Sequence, residues 1–165
     1  MINSHLSRQI RQNFPHTPTN EQLLALNILA DFLLSANENS ALLLKGYAGT
    51  GKTSLVGALV KTMSGLKQKS VLLAPTGRAA KVLSNYAGQQ AFTIHKKIYR
   101  QDAFSNDLSA FHPSDNLHKD TLFIVDEASM ISNQGIDSHN FGSGRLLDDL
   151  VHYVYSGENC RLMLM

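Results

Sequence analysis

The octapeptide Gly46-Tyr47-Ala48-Gly49-Thr50-Gly51-Lys52-Thr53 follows an apolar run, Ala41 to Lys45, and leads into a helical pattern that should stop at Gly65. It matches G-x-x-x-x-G-K-[ST] in the setting that pattern needs, between a strand and a helix. Glycines let the backbone curl until successive N–H groups point at a phosphate, and the helix behind them adds its positive end. Lys52 then supplies a mobile charge for the β- and γ-phosphates of a nucleotide, and the Thr53 hydroxyl is a hard oxygen ligand for Mg²⁺. The candidate nucleotide contacts are Gly46, Tyr47, Ala48, Gly49, Thr50, Gly51, Lys52, Thr53 and Ser54.

Such a loop needs a carboxylate at the end of a neighbouring strand, and Leu122-Phe123-Ile124-Val125-Asp126-Glu127 provides it. Asp126 can hold Mg²⁺ through water and Glu127 can polarise an attacking water as general base. Lys52, Asp126 and Glu127 are thus the candidate catalytic groups, with Thr53 and Asp126 as metal ligands. An acidic pair at a strand end is, alone, an ordinary solvated turn; its weight here comes from Lys52 and Thr53.

Outward from these two segments, strand and helix alternate. Thr19 and Gln22 have capping-box spacing ahead of an amphipathic helix to about Ser35, and Ile2, Leu6 and Ile10 suit a short helix in an N-terminal extension over residues 1–18. Ser70 to Ala74 reads as a strand, Pro75-Thr76-Gly77 as a turn, and Arg78 to Tyr86 as a helix closed by Gly88. Ala91 to Arg100 reads as a short helix, Gln101 to Asp120 as a polar insertion, Arg145 to Tyr155 as a helix, and Arg161 to Met165 as a last core strand. The expected fold class is α/β, a parallel sheet flanked by helices in one domain over residues 1–165.

Composition agrees and excludes several alternatives. The chain has 165 residues, 43% apolar and 17% charged, enough for a buried core and too apolar for a disordered chain. The single cysteine, Cys160, excludes an internal disulfide framework, and no apolar run reaches the roughly 20 residues that cross a bilayer. A soluble, reducing, cytoplasmic setting without membrane contact is the expectation. The formal charge of +2 conceals a division: residues 1–100 carry 12 basic and 3 acidic side chains, residues 101–165 carry 3 basic and 10 acidic. That asymmetry points to a polyanionic partner on one side.

Taken together, Asn20-Glu21-Gln22, the phosphate loop, Ala74-Pro75-Thr76-Gly77-Arg78-Ala79-Ala80, Thr93-Ile94-His95 and Val125-Asp126-Glu127-Ala128-Ser129-Met130 resemble the RecD-like branch of superfamily 1 DNA helicases, in the family's order. The resemblance implies the first RecA-like motor domain of an ATP-dependent DNA helicase of 5′ to 3′ polarity, with ATP and Mg²⁺ as cofactors and single-stranded DNA as partner. It implies that Gln22 reads the adenine edge. A capping-box role for Gln22 stays open beside it, because the same amide atoms cannot serve both. It implies DNA contacts at Pro75, Thr76 and Arg78 and at Thr93 and His95, with Lys96, Lys97 and Arg100 adding charge; helix capping is the competing explanation for Thr76. In relatives a small hairpin or wedge often fills the place of residues 101–120, where Phe104 and Phe111 could stack or pack.

The family closes ATP against a second RecA-like domain that supplies arginines, and it carries a Gly-Asp-x-x-Gln motif after the strand at which this sequence stops. The expectation is a fold truncated after that strand, binding nucleotide and scarcely hydrolysing it alone. An exposed edge at Leu162 to Met165 would then favour self-association, and the oligomeric state is open. The alternatives are a small P-loop kinase or a nucleotide-binding scaffold without motor activity. No second carboxylate cluster suggests a nuclease centre.

Overall fold

A computed structural model describes residues 2–37, 40–101, 111–132 and 142–165. Five parallel strands form the sheet: β1 (Ala41–Leu43), β2 (Lys69–Ala74), β3 (Ala91–Thr93), β6 (Thr121–Val125) and β7 (Arg161–Leu164). They lie in the order β1-β7-β6-β2-β3. The helices are α1 (Ile2–Gln12), α2 (Asn20–Leu34), α3 (Lys52–Gly65), α4 (Gly77–Ala87), α5 (Ile94–Ile98) and α6 (Leu146–Ser156). A separate antiparallel pair joins β4 (Tyr99–Gln101) to β5 (Phe111–Pro113).

Period-two alternation sorts the sheet's side chains between two cores. Leu72, Leu122, Ile124 and Met163 face one core with Leu26 and Leu29 of α2 and Leu55, Val56 and Leu59 of α3. Val71, Leu73, Phe123, Val125 and Leu162 face the other, with Ile94 and Ile98 of α5 and Leu150 and Val154 of α6. β6 is buried at all five positions, as a central parallel strand must be. Phe123 is fully buried and meets the rings of His118 and Tyr153 edge-on, with centroids 5.3 and 6.0 Å away. Cys160 is buried, and burial pushes its thiol pKa up.

The capping box forms as the spacing requires: Gln22 N–H donates to Thr19 Oγ1 at 3.2 Å, and Thr19 N–H donates to Gln22 Oε1 at 3.0 Å. α2 ends against Arg161, whose guanidinium donates to the carbonyls of Phe32 and Ser35, which no helical N–H reaches.

Three expectations are corrected. β1 is a sheet edge with Leu43 exposed, not a buried strand, because its described neighbour lies on one side only. Residues 91–100 are not one helix: Ala91–Thr93 pairs with β2, and only Ile94–Ile98 is helical before the chain extends again as β4. A β-branched and aromatic start, Phe92-Thr93, favours the strand. The final run, Leu162 to Met165, is no exposed edge, since β7 is bonded to β1 on one side and β6 on the other. The self-association argument for it therefore lapses.

Of the insertion, Phe111 is half-buried against the second core, so it packs rather than projects; Phe104 lies outside the described residues. The hairpin base is tied down by Asp149 of α6. Tyr99 donates its hydroxyl to Asp149 Oδ2 at 2.6 Å, and Ser143 donates its backbone N–H to the same oxygen and its hydroxyl to Oδ1. Burial raises the Asp149 carboxyl pKa, and the bonds from Ser143 and Tyr99 outweigh it, leaving the group below its ordinary 3.8. A depressed folded value stabilises the fold above the unfolded pKa, and the benefit is lost as pH falls through the folded one. Wild type should therefore lose thermal midpoint on acidification below about pH 4. Asp149→Asn should start lower and lose less; equal acid sensitivity in the two proteins would contradict the tie.

Candidate nucleotide and nucleic-acid site

All five sheet strands are parallel, so the loops that follow them gather at one edge. In strand order the edge carries the phosphate loop after β1, the end of β7, Asp126 and Glu127 after β6, Pro75 and Thr76 after β2, and Thr93 and His95 after β3. With neighbouring strands about 4.8 Å apart, the phosphate loop and the carboxylate pair sit about 10 Å apart at their strand ends. The carboxylate pair and Pro75-Thr76 are immediate neighbours. Asp126 N–H donates to Leu73 O at 3.0 Å, one register step before the Ala74-Pro75-Thr76 turn.

The loop closes on itself. Thr50 donates its N–H and its hydroxyl to Tyr47 O at 3.3 and 2.8 Å, and Lys52 Nζ donates to the carbonyls of Gly46 and Tyr47. Gly51 caps α3 with φ of +86°, and no side chain bonds the helix's first N–H groups. A Cβ at Gly51 would collide with Gln22 Nε2, and one at Gly46 would stand 2.7 Å from Thr50 Oγ1. Only glycine meets both demands at Gly51. The Tyr47 ring is 90% exposed at the loop's rim. From Thr53 and Ser54 a groove of about 730 Å³ runs along α3, bordered by Asn13 and Pro15 on one side and Tyr86 to Gly88 on the other. A second cavity, about 740 Å³, lies at the opposite edge of the sheet among Leu6, Met63, Lys69, Thr121 and Arg161, far from this chemistry.

Gln22 sits beside the loop, with Nε2 donating to Thr50 O at 2.9 Å while Oε1 serves the capping box. The bond to Thr50 had no signal in the sequence. Glu127 adopts a left-handed backbone, φ +54° and ψ +37°, and donates its N–H to Asp126 Oδ1 at 2.9 Å. A non-glycine residue in that region is held by its surroundings at a cost of order 1–3 kcal/mol. Ala128 N–H to Met165 O at 2.6 Å and Met130 N–H to Glu127 O at 2.9 Å provide that hold.

Thr76 and Thr93 are both N-caps, accepting from the N–H of Ala79 and of Lys96 at 3.2 Å each. Capping uses a lone pair and leaves the hydroxyl hydrogen to donate outward, so the two explanations offered for Thr76 are compatible. Arg78, Lys96 and Arg100 are exposed along the same side. His95 is half-buried, and burial lowers its pKa, which makes it a neutral imidazole near pH 7. Lys97 Nζ lies 5.7 Å from the Phe92 ring centre, its stem covering the edge strand.

Fold and site together define a P-loop nucleotide-binding α/β domain. A family profile described as an AAA domain matches residues 28–138, more than half of the chain, and the chain belongs to that family. Among curated proteins it is 30% identical to uncharacterized protein MJ1519 of Methanocaldococcus jannaschii over 152 residues, which is 81% of this chain and 12% of that protein. It is 34% identical to the ATP-dependent RecD2 DNA helicase of Deinococcus radiodurans over 91 residues, 54% of this chain and 12% of the helicase. The ATP-dependent DNA helicase dda of Enterobacteria phage T4 is 36% identical over 90 residues, 53% of this chain and 20% of the phage protein. The chain thus spans between 12% and 20% of the length of these relatives. The matches bear out the resemblance that the motif strings carry, to the RecA-like motor domain of superfamily 1 helicases. Among the described residues no helix is long and apolar enough to cross a membrane, and no group of three or more His, Cys, Asp or Glu could hold a metal unaided.

Proposed function

We propose that the chain is the ATP-binding motor domain of an ATP-dependent DNA helicase, which couples ATP hydrolysis to movement along single-stranded DNA when joined to a second RecA-like domain. One observation carries the reading: nucleotide groups and candidate DNA groups share one sheet edge, and the strands that bear them, β6 and β2, are bonded neighbours. A shift at the carboxylates reaches the Pro75-Thr76 turn through the Asp126–Leu73 hydrogen bond. Two of the relatives are, by name, ATP-dependent DNA helicases, which favours the same reading.

In this mechanism the loop's N–H groups and Lys52 hold the phosphates, and the helix α3 lends its positive end. Thr53 and Asp126 would hold Mg²⁺; a hydroxyl and a carboxylate are the hard donors that cation takes, with phosphates and waters completing its shell. When bound, the cation neutralises charge on the phosphates. Glu127 orients and deprotonates the attacking water. Thr76 and Thr93 donate their hydroxyl hydrogens to phosphodiester oxygens, Arg78, Lys96 and Arg100 add charge, and neutral His95 serves as a hydrogen-bond donor.

A metabolite kinase would need a mobile arginine lid after the carboxylate strand. Of the two arginines there, Arg161 is engaged with the end of α2 and Arg145 pairs with Asp148 at 3.6 Å. The decisive variant is Thr76→Asp, because aspartate caps a helix as well as threonine does but repels a phosphodiester. Single-stranded DNA affinity, read by anisotropy, should fall about tenfold or more while ATP affinity and melting temperature hold. Undiminished DNA binding would remove Thr76 from the interface, and wild type that binds no DNA would defeat the helicase reading.

A further inference from the structure

The Gln22 amide has one carbonyl and one NH₂, and both ends are in use. Oε1 accepts from Thr19 N–H at 3.0 Å, which seats α2, and Nε2 donates to Thr50 O at 2.9 Å, which fixes the peptide leading into Gly51. Gly51 in turn leaves no room for a side chain under that nitrogen. To grip a base edge in two-point fashion, the amide would have to present an acceptor and a donor side by side. Doing so would release the capping box, the Thr50 carbonyl, or both. Other amides beside the α3 groove are also engaged: Asn13 Nδ2 donates to Thr62 Oγ1 at 2.9 Å, and Gln89 bonds Ser70 through both its oxygen and its nitrogen.

We propose that Gln22 is a positioning residue for the phosphate loop, a strut from the start of α2 to the Thr50 carbonyl, and that it does not select the base, so that the site takes purine nucleoside triphosphates with little preference between adenine and guanine. The proposal rests on the assignment of Gly46 to Thr53 as a phosphate site. The loop's N–H groups must converge on one point to hold a phosphate, and the Thr50–Gly51 peptide is the last hinge before the helix supplies them. Holding Thr50 O outward toward α2 keeps the following N–H groups turned to the ligand side. Base identity plays no part in that geometry.

Two substitutions separate the strut from a base reader. Gln22→Met keeps the side chain's length and neutrality and removes both hydrogen bonds; Gln22→Glu keeps the acceptor for Thr19 N–H, and so the capping box, but loses the donor to Thr50 O. Calorimetric affinities for ATP and GTP are measured with each protein, alongside the melting temperature. Wild type should bind both nucleotides within about threefold of each other. Both variants should lose about three- to tenfold for ATP and GTP alike, the worth of one modest hydrogen bond. Gln22→Glu should do so with the wild-type melting temperature, which a merely structural role would not allow. A loss confined to ATP, or a wild type that strongly prefers ATP, overturns the proposal in favour of adenine reading; unchanged affinities in both variants overturn it as well. A wild type that binds neither nucleotide would instead refute the phosphate-site assignment.

Discussion

Lys52→Ala should abolish measurable nucleotide binding while leaving the fold unchanged. Lys52 Nζ is held by the carbonyls of Gly46 and Tyr47 at an exposed rim, so its loss returns two carbonyls to water and opens no cavity. Alanine is also the best helix former, and position 52 opens α3. The stability change should stay within about 0.5 kcal/mol. Against a triphosphate the ammonium is the loop's only cationic side chain. Charge-assisted bonds to two phosphates contribute about 1.5–3 kcal/mol each, so affinity should fall about a hundredfold or more. Titration calorimetry with ATP checks the first number and thermal melting the second. Retained affinity would move the nucleotide away from this loop.

Phe123→Ala should have the largest effect on stability. Phe123 is fully buried in the middle of β6, the middle strand of the sheet, and its ring is wedged between His118 and Tyr153. Truncation of a buried Phe removes about 3–5 kcal/mol, through lost transfer energy and the cavity left behind. That is a large share of the 5–15 kcal/mol that typical domains possess. Denaturant melts should show the midpoint collapse, with nucleotide partly restoring it by mass action. Phe123→Leu, which retains most of the volume, should lose far less; similar losses for both would mean the ring packing contributes little.

Much of this site was legible because its chemistry is local. The phosphate loop occupies consecutive residues between a strand and a helix, and Asp126-Glu127 directly ends an apolar run, so both could be placed from spacing alone. Thr19 and Gln22 likewise announced their capping box. What could not be read is what depends on neighbours distant in sequence. The bond from Gln22 to Thr50 spans 28 residues, and nothing in either residue's surroundings signals it. Ala91 to Thr93 became a strand because β2 offers it an open edge, a tertiary effect that outweighs a short helical pattern. The apolar runs at residues 41–45 and 161–165 look alike in sequence, yet one lies at an edge and the other inside, since sheet order is not written in composition. The left-handed backbone at Glu127, too, follows from bonds made by its neighbours.

The place of β7 between β1 and β6 has a consequence for how the molecule comes into being. β1 emerges from the ribosome more than a hundred residues before β7, which is its only bonded strand among the described residues. Until then β6 can align with β2, but the strand that launches the phosphate loop has nothing to lie against. Long-range parallel pairing of this kind is slow, because chain entropy is lost before any contact rewards it. The nucleotide-binding end of the molecule is thus assembled last, by a segment inserted into the centre of an already started sheet, and a nascent chain holds its ATP loop unmoored until synthesis has passed Leu164.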